Sequence, residues 1–152
     1  SEHGGIIKDG AKMVNAVANS VVPKFTIITG NSFGAGNYAM CGKAYDPRLI
    51  VSWPWAELAV MGGSQAAKVL VQIQESTLKK QGKEITTEEH NALVEKITQN
   101  YTKQTKVEYS AARIWVDAII NPLDTRKWIS HGIESANNSP ITDKFNLGVI
   151  QV

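Results

Sequence analysis

At 152 residues the chain can bury one real core, and 43% hydrophobic against 20% charged residues is the balance of an ordinary globular domain. A formal net charge of +2 without a Lys/Arg run gives nucleic acid no basic patch to bind, and no apolar stretch approaches the roughly 20 residues that a membrane span needs. The single cysteine, Cys41, excludes an internal disulfide and fits a reducing compartment, and the amino-terminal residues do not resemble a signal peptide. The expected setting is therefore soluble and intracellular: cytoplasmic, or the mitochondrial matrix in a eukaryote.

In chain order, Ile6, Ile7, Gly10, Met13, Val14, Val17 and Val21 recur at three- and four-residue intervals and predict an amphipathic helix stopped by Pro23. Phe25 to Thr29 is β-branched and aromatic, the composition of a buried strand, and Gly30, Asn31 and Ser32 are expected to break it. Phe33-Gly34-Ala35-Gly36 then leads into a short helix near 35–42. A turn at 44–48 follows, then a strand over Leu49–Trp53 and a shorter one over Glu57–Met61. After Gly62-Gly63, Ser64 is expected to cap a helix reaching about Lys80, with Ala66, Val69, Leu70 and Ile73 on its inner face. KKQGKE (79–84) reads as a solvated mixed-charge loop. Thr86 and Glu89 form a capping-box pattern that opens a helix to about Thr105, with Leu93, Ile97 and Tyr101 inward. A further helix is expected over Glu108–Ile120, and Asn121-Pro122 opens a last one to about Asn137. The tail from Asn138 to Val152 reads as extended. The whole is α/β, and it begins with a helix that no strand precedes, the pattern expected of a fragment of a longer chain.

Strand, glycines and helix start occur twice, at KFTIITGNSFGAG (24–36) and at ELAVMGGSQ (57–65). A helix start presents backbone N–H groups without partners and can hold a phosphate or a developing oxyanion. Neither stretch has the Gly-Lys-Ser/Thr of a phosphate loop or the dinucleotide spacing. Ser32 in G-N-S-F-G superficially matches a nucleophile elbow, but nothing selects His3, His90 or His131 as its base. Cys41 reads as a small buried residue rather than a nucleophile. An oxyanion hole built from backbone alone fits the glycines: Gly34-Ala35-Gly36 would supply one donor and Gly62-Gly63 the other. Tight strand–helix packing explains the same glycines equally well.

GGIIKDGAKMV (4–14), VPKFTIITGNSFGAGNYAMCGKAYDPR (22–48), SWPWAELAVMGGSQAAKVL (52–70) and DAIINPLDTR (117–126) resemble, in order, the carboxyl-terminal half of the carboxyltransferase (β) subunit of biotin-dependent acyl-CoA carboxylases. GAGNY-x-MCG-x-AY is the pattern of the methylcrotonoyl-CoA carboxylase type. The resemblance implies a crotonase-like spiral α/β domain, here without its first strands and with added carboxyl-terminal helices, spanning 1–152. It implies carboxyl transfer from carboxybiotin to an acyl-CoA, a ligase reaction that requires no metal in this chain. Backbone amides of Phe33, Gly34, Ala35 and Gly36 would contact the ureido oxygen of biotin, and the helix start after Gly62-Gly63 would offer the companion amide. The implied partners are the amino-terminal half of the same subunit type, the biotin carboxylase/biotin carrier subunit, and further copies in a dimer to hexamer. The acyl-CoA site would lie mainly on that amino-terminal half, so this stretch alone is expected to be inactive. A decarboxylase carboxyltransferase subunit and a non-catalytic oligomerisation domain are the alternatives. Asp124, Thr125 and Arg126 read as a helix-start cluster, and Trp53, Trp55 and Trp115 as core or interface.

Overall fold

The computed structural model of the protein describes residues 3–82, 86–139 and 144. Two small parallel sheets carry the fold. The first has the order β1-β3-β5, with β1 at Phe25–Ile28, β3 at Leu49–Ser52 and β5 at Ala118–Ile119. Phe25 stands opposite Leu49 and Ile28 opposite Ser52, while Val51 and Ser52 pair with Ala118 and Ile119. The second joins β2 (Asn31–Phe33) to β4 (Glu57–Ala59), with Phe33 opposite Ala59. Parallel strands covered on both faces read as continuous apolar runs, and β3 is the clearest case: Ile50, Val51 and Ser52 are all fully buried. Ile28, Ile50, Ala56, Leu58, Val107 and Val116 form the core between the sheets and the helices.

The helices are α1 (Ile6–Asn19), α2 (Gly34–Ala39), α3 (Gly63–Lys80), α4 (Thr87–Thr105), α5 (Val107–Ala111) and α6 (Thr125–Asn137), with single 3-10 turns at Lys43–Tyr45 and Pro122–Asp124. α3 and α4 pack as a hairpin, pinned by His90 Nδ1 against Glu75 Oε1 at 2.6 Å. At the head of α4 the capping box is present in both directions: Thr86 Oγ1 accepts from the Glu89 N–H, and the Glu89 carboxylate accepts from the Thr86 N–H at 2.9 Å. Asn121 Oδ1 accepts from the Leu123 N–H ahead of α6, as the Asn-Pro pair predicts.

Four expectations are corrected. Asn31 and Ser32 do not simply break a strand: after a bend at Gly30 they start β2, because β4 lies alongside to pair with them. Ser64 does not cap α3, which starts two residues earlier than expected, at Gly63, with Gly62 in the cap position and no side-chain cap. Its buried face is Ala66, Ala67 and Val71, while Val69, Leu70 and Ile73 are exposed. The helix expected over 108–120 ends at Ala111. Ile114 then takes a left-handed conformation (φ 59°), and the chain continues into β5 at the edge of the first sheet. Asp117 secures that switch, donating its N–H to the Ile50 carbonyl and accepting the Ile50 N–H on Oδ2, both at 2.8 Å. α1 forms where expected but buries none of its residues completely. Of the tail expected to be extended, 140–143 and 145–152 lie outside the described residues, as do 83 and 84 of the KKQGKE loop.

Candidate functional site

The β2–β4 pairing positions both glycine stretches. The two strands run parallel in register, so they end on the same side and bring the two glycine stretches to one end of the pair, where Gly34 meets Val60 and the Phe33 ring meets Gly62. The Phe33 ring closes the gap: its Cε2 lies 3.9 Å from where a Gly62 Cβ would stand. Gly34 has φ +58°, and a Cβ there would sit 3.0 Å from the Val60 carbonyl oxygen, so the close approach of α2 to the end of β4 needs glycine. Ala35 and Gly36 are exposed, with open space where a Gly36 side chain would be. A Cβ at Gly63 would stand 3.6 Å from Tyr101 Cδ1.

The electrostatics of this corner come from backbone. The first-turn amides of a helix have no acceptor within the helix, and they carry the positive end of its dipole. At α3 no side chain caps them, and neither α2 nor α3 has an acidic residue in its first turn. An anionic oxygen placed here therefore meets N–H donors and no competing carboxylate of either first turn. Among the described residues no group of three or more His, Cys, Asp or Glu could hold a metal ion.

Ser32 lies in β2, half-buried, and among the described residues no histidine is hydrogen-bonded to it. His90 is engaged with Glu75, and His131 is exposed within α6, 3.8 Å from Glu134. The serine-elbow geometry is thus not assembled. Cys41 is buried, as expected of a packing residue. Trp53 is half-buried and donates its Nε1–H to Thr125 Oγ1 at 3.0 Å, which explains Thr125 as a structural acceptor. Trp55 and Trp115 are exposed rather than core.

A cavity of about 460 Å³ opens next to the glycines, between α2 and the last turn of α4. Its walls include Asn37, Tyr38, Lys43, Tyr101, Tyr109 and Trp115, and Gly34 is the one expected site residue among them. Lys43 Nζ stands 3.5 Å from Asp117 Oδ1 at its edge. Sequence reading missed this cavity because it takes Tyr101 from α4 and Tyr109 and Trp115 from either side of the unforeseen break after α5. The clustering of aromatic residues after position 100 was its only signal.

A carboxyl transferase domain family model matches residues 1–147. This chain belongs to that family. Among relatives of the carboxyl transferase domain, the methylcrotonoyl-CoA carboxylase beta chain of Arabidopsis thaliana is 50% identical over 143 residues, covering 94% of this chain and 24% of the relative. The beta subunit of P. aeruginosa geranyl-CoA carboxylase superposes with a TM-score of 0.79 at 36% identity, covering 100% of this chain and 28% of that one. Transcarboxylase 12S, solved as a hexamer with methylmalonyl-CoA and methylmalonic acid bound, gives a TM-score of 0.82 at 29% identity, with 99% and 28% covered. The two sheets and their helices are accordingly the crotonase-like α/β architecture that the resemblance implied. The chain spans about a quarter of the length of the curated relatives it matches. No helix among its described residues is long and apolar enough to cross a membrane.

Proposed function

We propose that this carboxyl transferase domain supplies the biotin side of an acyl-CoA carboxylase active site, as the carboxyl-terminal domain of a carboxyltransferase subunit of the methylcrotonoyl-CoA carboxylase type. The observation that carries the reading is the juxtaposition of Gly34–Gly36 with Gly62–Gly63 at one end of the β2–β4 pair. Biotin fits this corner, because Ala35 and Gly36 are open to an approaching ring and Gly34 leaves no side chain over the Val60 carbonyl. When bound as carboxybiotin on its carrier, the cofactor supplies the carboxyl group and leaves negative charge on its ureido oxygen. Amides of Phe33, Gly34, Ala35 and Gly36 are the donors assigned to that oxygen, with the α3 start at Gly62-Gly63 as the companion. Donors fixed by a strand pair and two helix starts need no reorganisation as charge develops, and one such donor contributes about 3–4 kcal/mol to lowering a barrier. A site of this kind asks for no side-chain base, which suits two helix starts that carry no acidic residue in their first turns.

The acyl-CoA, the amino-terminal half of the subunit, the biotin carboxylase/carrier partner and an oligomer of dimer to hexamer size complete this proposal. Its location follows the same logic: mitochondrial in a eukaryote, cytoplasmic otherwise. In the full-length subunit, Ala35→Trp should fill the corner and abolish carboxyl transfer from carboxybiotin while leaving the fold intact by circular dichroism. Unchanged transfer would overturn the assignment.

A further inference from the structure

The Phe33–Gly36 turn is held at its front by strand pairing and by the contact of Gly34 with Val60, but α2 behind it is only six residues long. A helix that short does not hold its own geometry, because nucleation is unfavourable and few internal bonds repay it. α1 packs against it, and its far end has a further anchor. That end is tied to β1 by one side chain: Thr26 Oγ1 donates to the Cys41 carbonyl at 2.7 Å.

The surrounding backbone makes this bond a clamp. Cys41 takes a left-handed conformation (φ 64°), unusual for a residue with a side chain, and this turns the chain back while its thiol stays buried. The Gly42 N–H then donates to the Asn37 carbonyl at 2.8 Å, and the Met40 N–H to the Gly36 carbonyl at 3.0 Å. Gly42 presses so closely on Asn37 that a Cβ there would stand 2.9 Å from the Asn37 carbonyl oxygen. Hydrogen bonds thus run from the Thr26 hydroxyl through the 41–42 reversal to the carbonyls of Gly36 and Asn37. β1 is hydrogen-bonded along its length to β3, whose Ile50, Val51 and Ser52 are fully buried, so the anchor is rigid.

We propose that Thr26 is a positioning residue for the reaction: its hydroxyl, acting through Cys41 and Gly42, sets the angle at which the Phe33–Gly36 amides meet the ureido oxygen. This rests on the biotin-side reading above. Thr26→Val keeps the branched shape and removes the donor, whereas Thr26→Ser keeps the donor. In the complete carboxylase complex, Thr26→Val should lower kcat by about tenfold or more, since sub-ångström misplacement of donors is costly, and leave KM for the acyl-CoA within about twofold. Thr26→Ser should restore most of that loss. A purely structural hydroxyl would lower the thermal midpoint of Thr26→Val yet leave the kcat of the folded complex unchanged, and that result overturns the proposal. Should Thr26→Val not assemble, Gly42→Ala, which pushes on the Asn37 carbonyl from the other side of the clamp, is read by the same kcat and KM criteria. Ala35→Trp is run in parallel. Retained transfer in Ala35→Trp overturns the biotin-side reading itself, whereas its loss together with unchanged kcat in Thr26→Val overturns the positioning role alone.

Discussion

Two glycines show how one missing side chain sets the relation between elements. Gly34 lets α2 start against the end of β4. Gly132, in the middle of α6, does the equivalent on the other sheet: a Cβ there would stand 2.9 Å from Phe25 Cε1 and 3.2 Å from Cδ1. Gly132 therefore brings α6 onto the first strand, and a helix-weakening residue is tolerated there because contact outweighs propensity. Gly132→Val should cost about 1–3 kcal/mol through overpacking, read as a lowered urea midpoint with an unchanged slope. The sequence runs the last helix through Gly132 to about Asn137 without marking it, because a contact glycine cannot be told from any other until its neighbour is known. Gly34–Gly36 and Gly62–Gly63 stood out for another reason: each follows an apolar run directly, so strand, glycine and helix start fall within a few residues.

Among the elements, α4 is the one whose start was legible in full, since both partners of its capping box lie three residues apart and need no tertiary contact. The Thr86 backbone N–H, and then its hydroxyl, hold the Glu89 carboxyl below the ordinary glutamate value of 4.5. A carboxyl depressed in the folded state stabilises above its unfolded pKa, and that contribution is lost as pH falls through the folded pKa. The difference in thermal midpoint between the parent and Glu89→Gln should thus be present at neutral pH and shrink to nothing in acid below 4.5. Thr86→Ala, which removes the reciprocal acceptor, should cost about 1 kcal/mol by thermal denaturation. The stretch 108–120 is the opposite case. Ile114, Trp115, Ala118 and Ile119 have helical spacing, yet Asp117 is captured by both polar groups of the Ile50 backbone, and Ala118 and Ile119 extend the sheet. A two-residue strand has no periodicity of its own, so only its partner reveals it.

For the molecule as a whole, stability concentrates on β3. Ile50 and Val51 are essentially without exposure, at 1% and 0%, and the strand is paired on both edges. Ile50→Ala opens space in the centre of the core and on the cavity wall beside α2, and should cost about 2–5 kcal/mol in chemical denaturation. Around this centre much apolar surface stays open, including Ile6, Ile7 and Met13 on α1 and Leu123 before α6. The spacing marked α1 as amphipathic, and in the fold Val14 and Val17 are half-buried and α1 packs on α2, while Ile6, Ile7 and Met13 stay exposed among the described residues.

The sequence by itself determined the α/β class, β1, β3 and β4, the capping box, the Asn-Pro start of the last helix and the two glycine stretches on which the family resemblance turns. All of these rest on patterns a few residues long, where local sterics and hydrogen bonding suffice. Only the tertiary structure decided that β2 exists, that the chain leaves its helix after Ala111, that the glycine stretches meet and that Thr26 holds the rear of the Phe33–Gly36 turn. Each of these depends on a partner between 15 and 67 residues away, such as Cys41 for Thr26 or Asp117 for Ile50, and no local pattern encodes a distant partner. KFTIITGNSFGAG is thus readable as a strand followed by glycines, and its reach to Gly62-Gly63 is a property of the folded sheet.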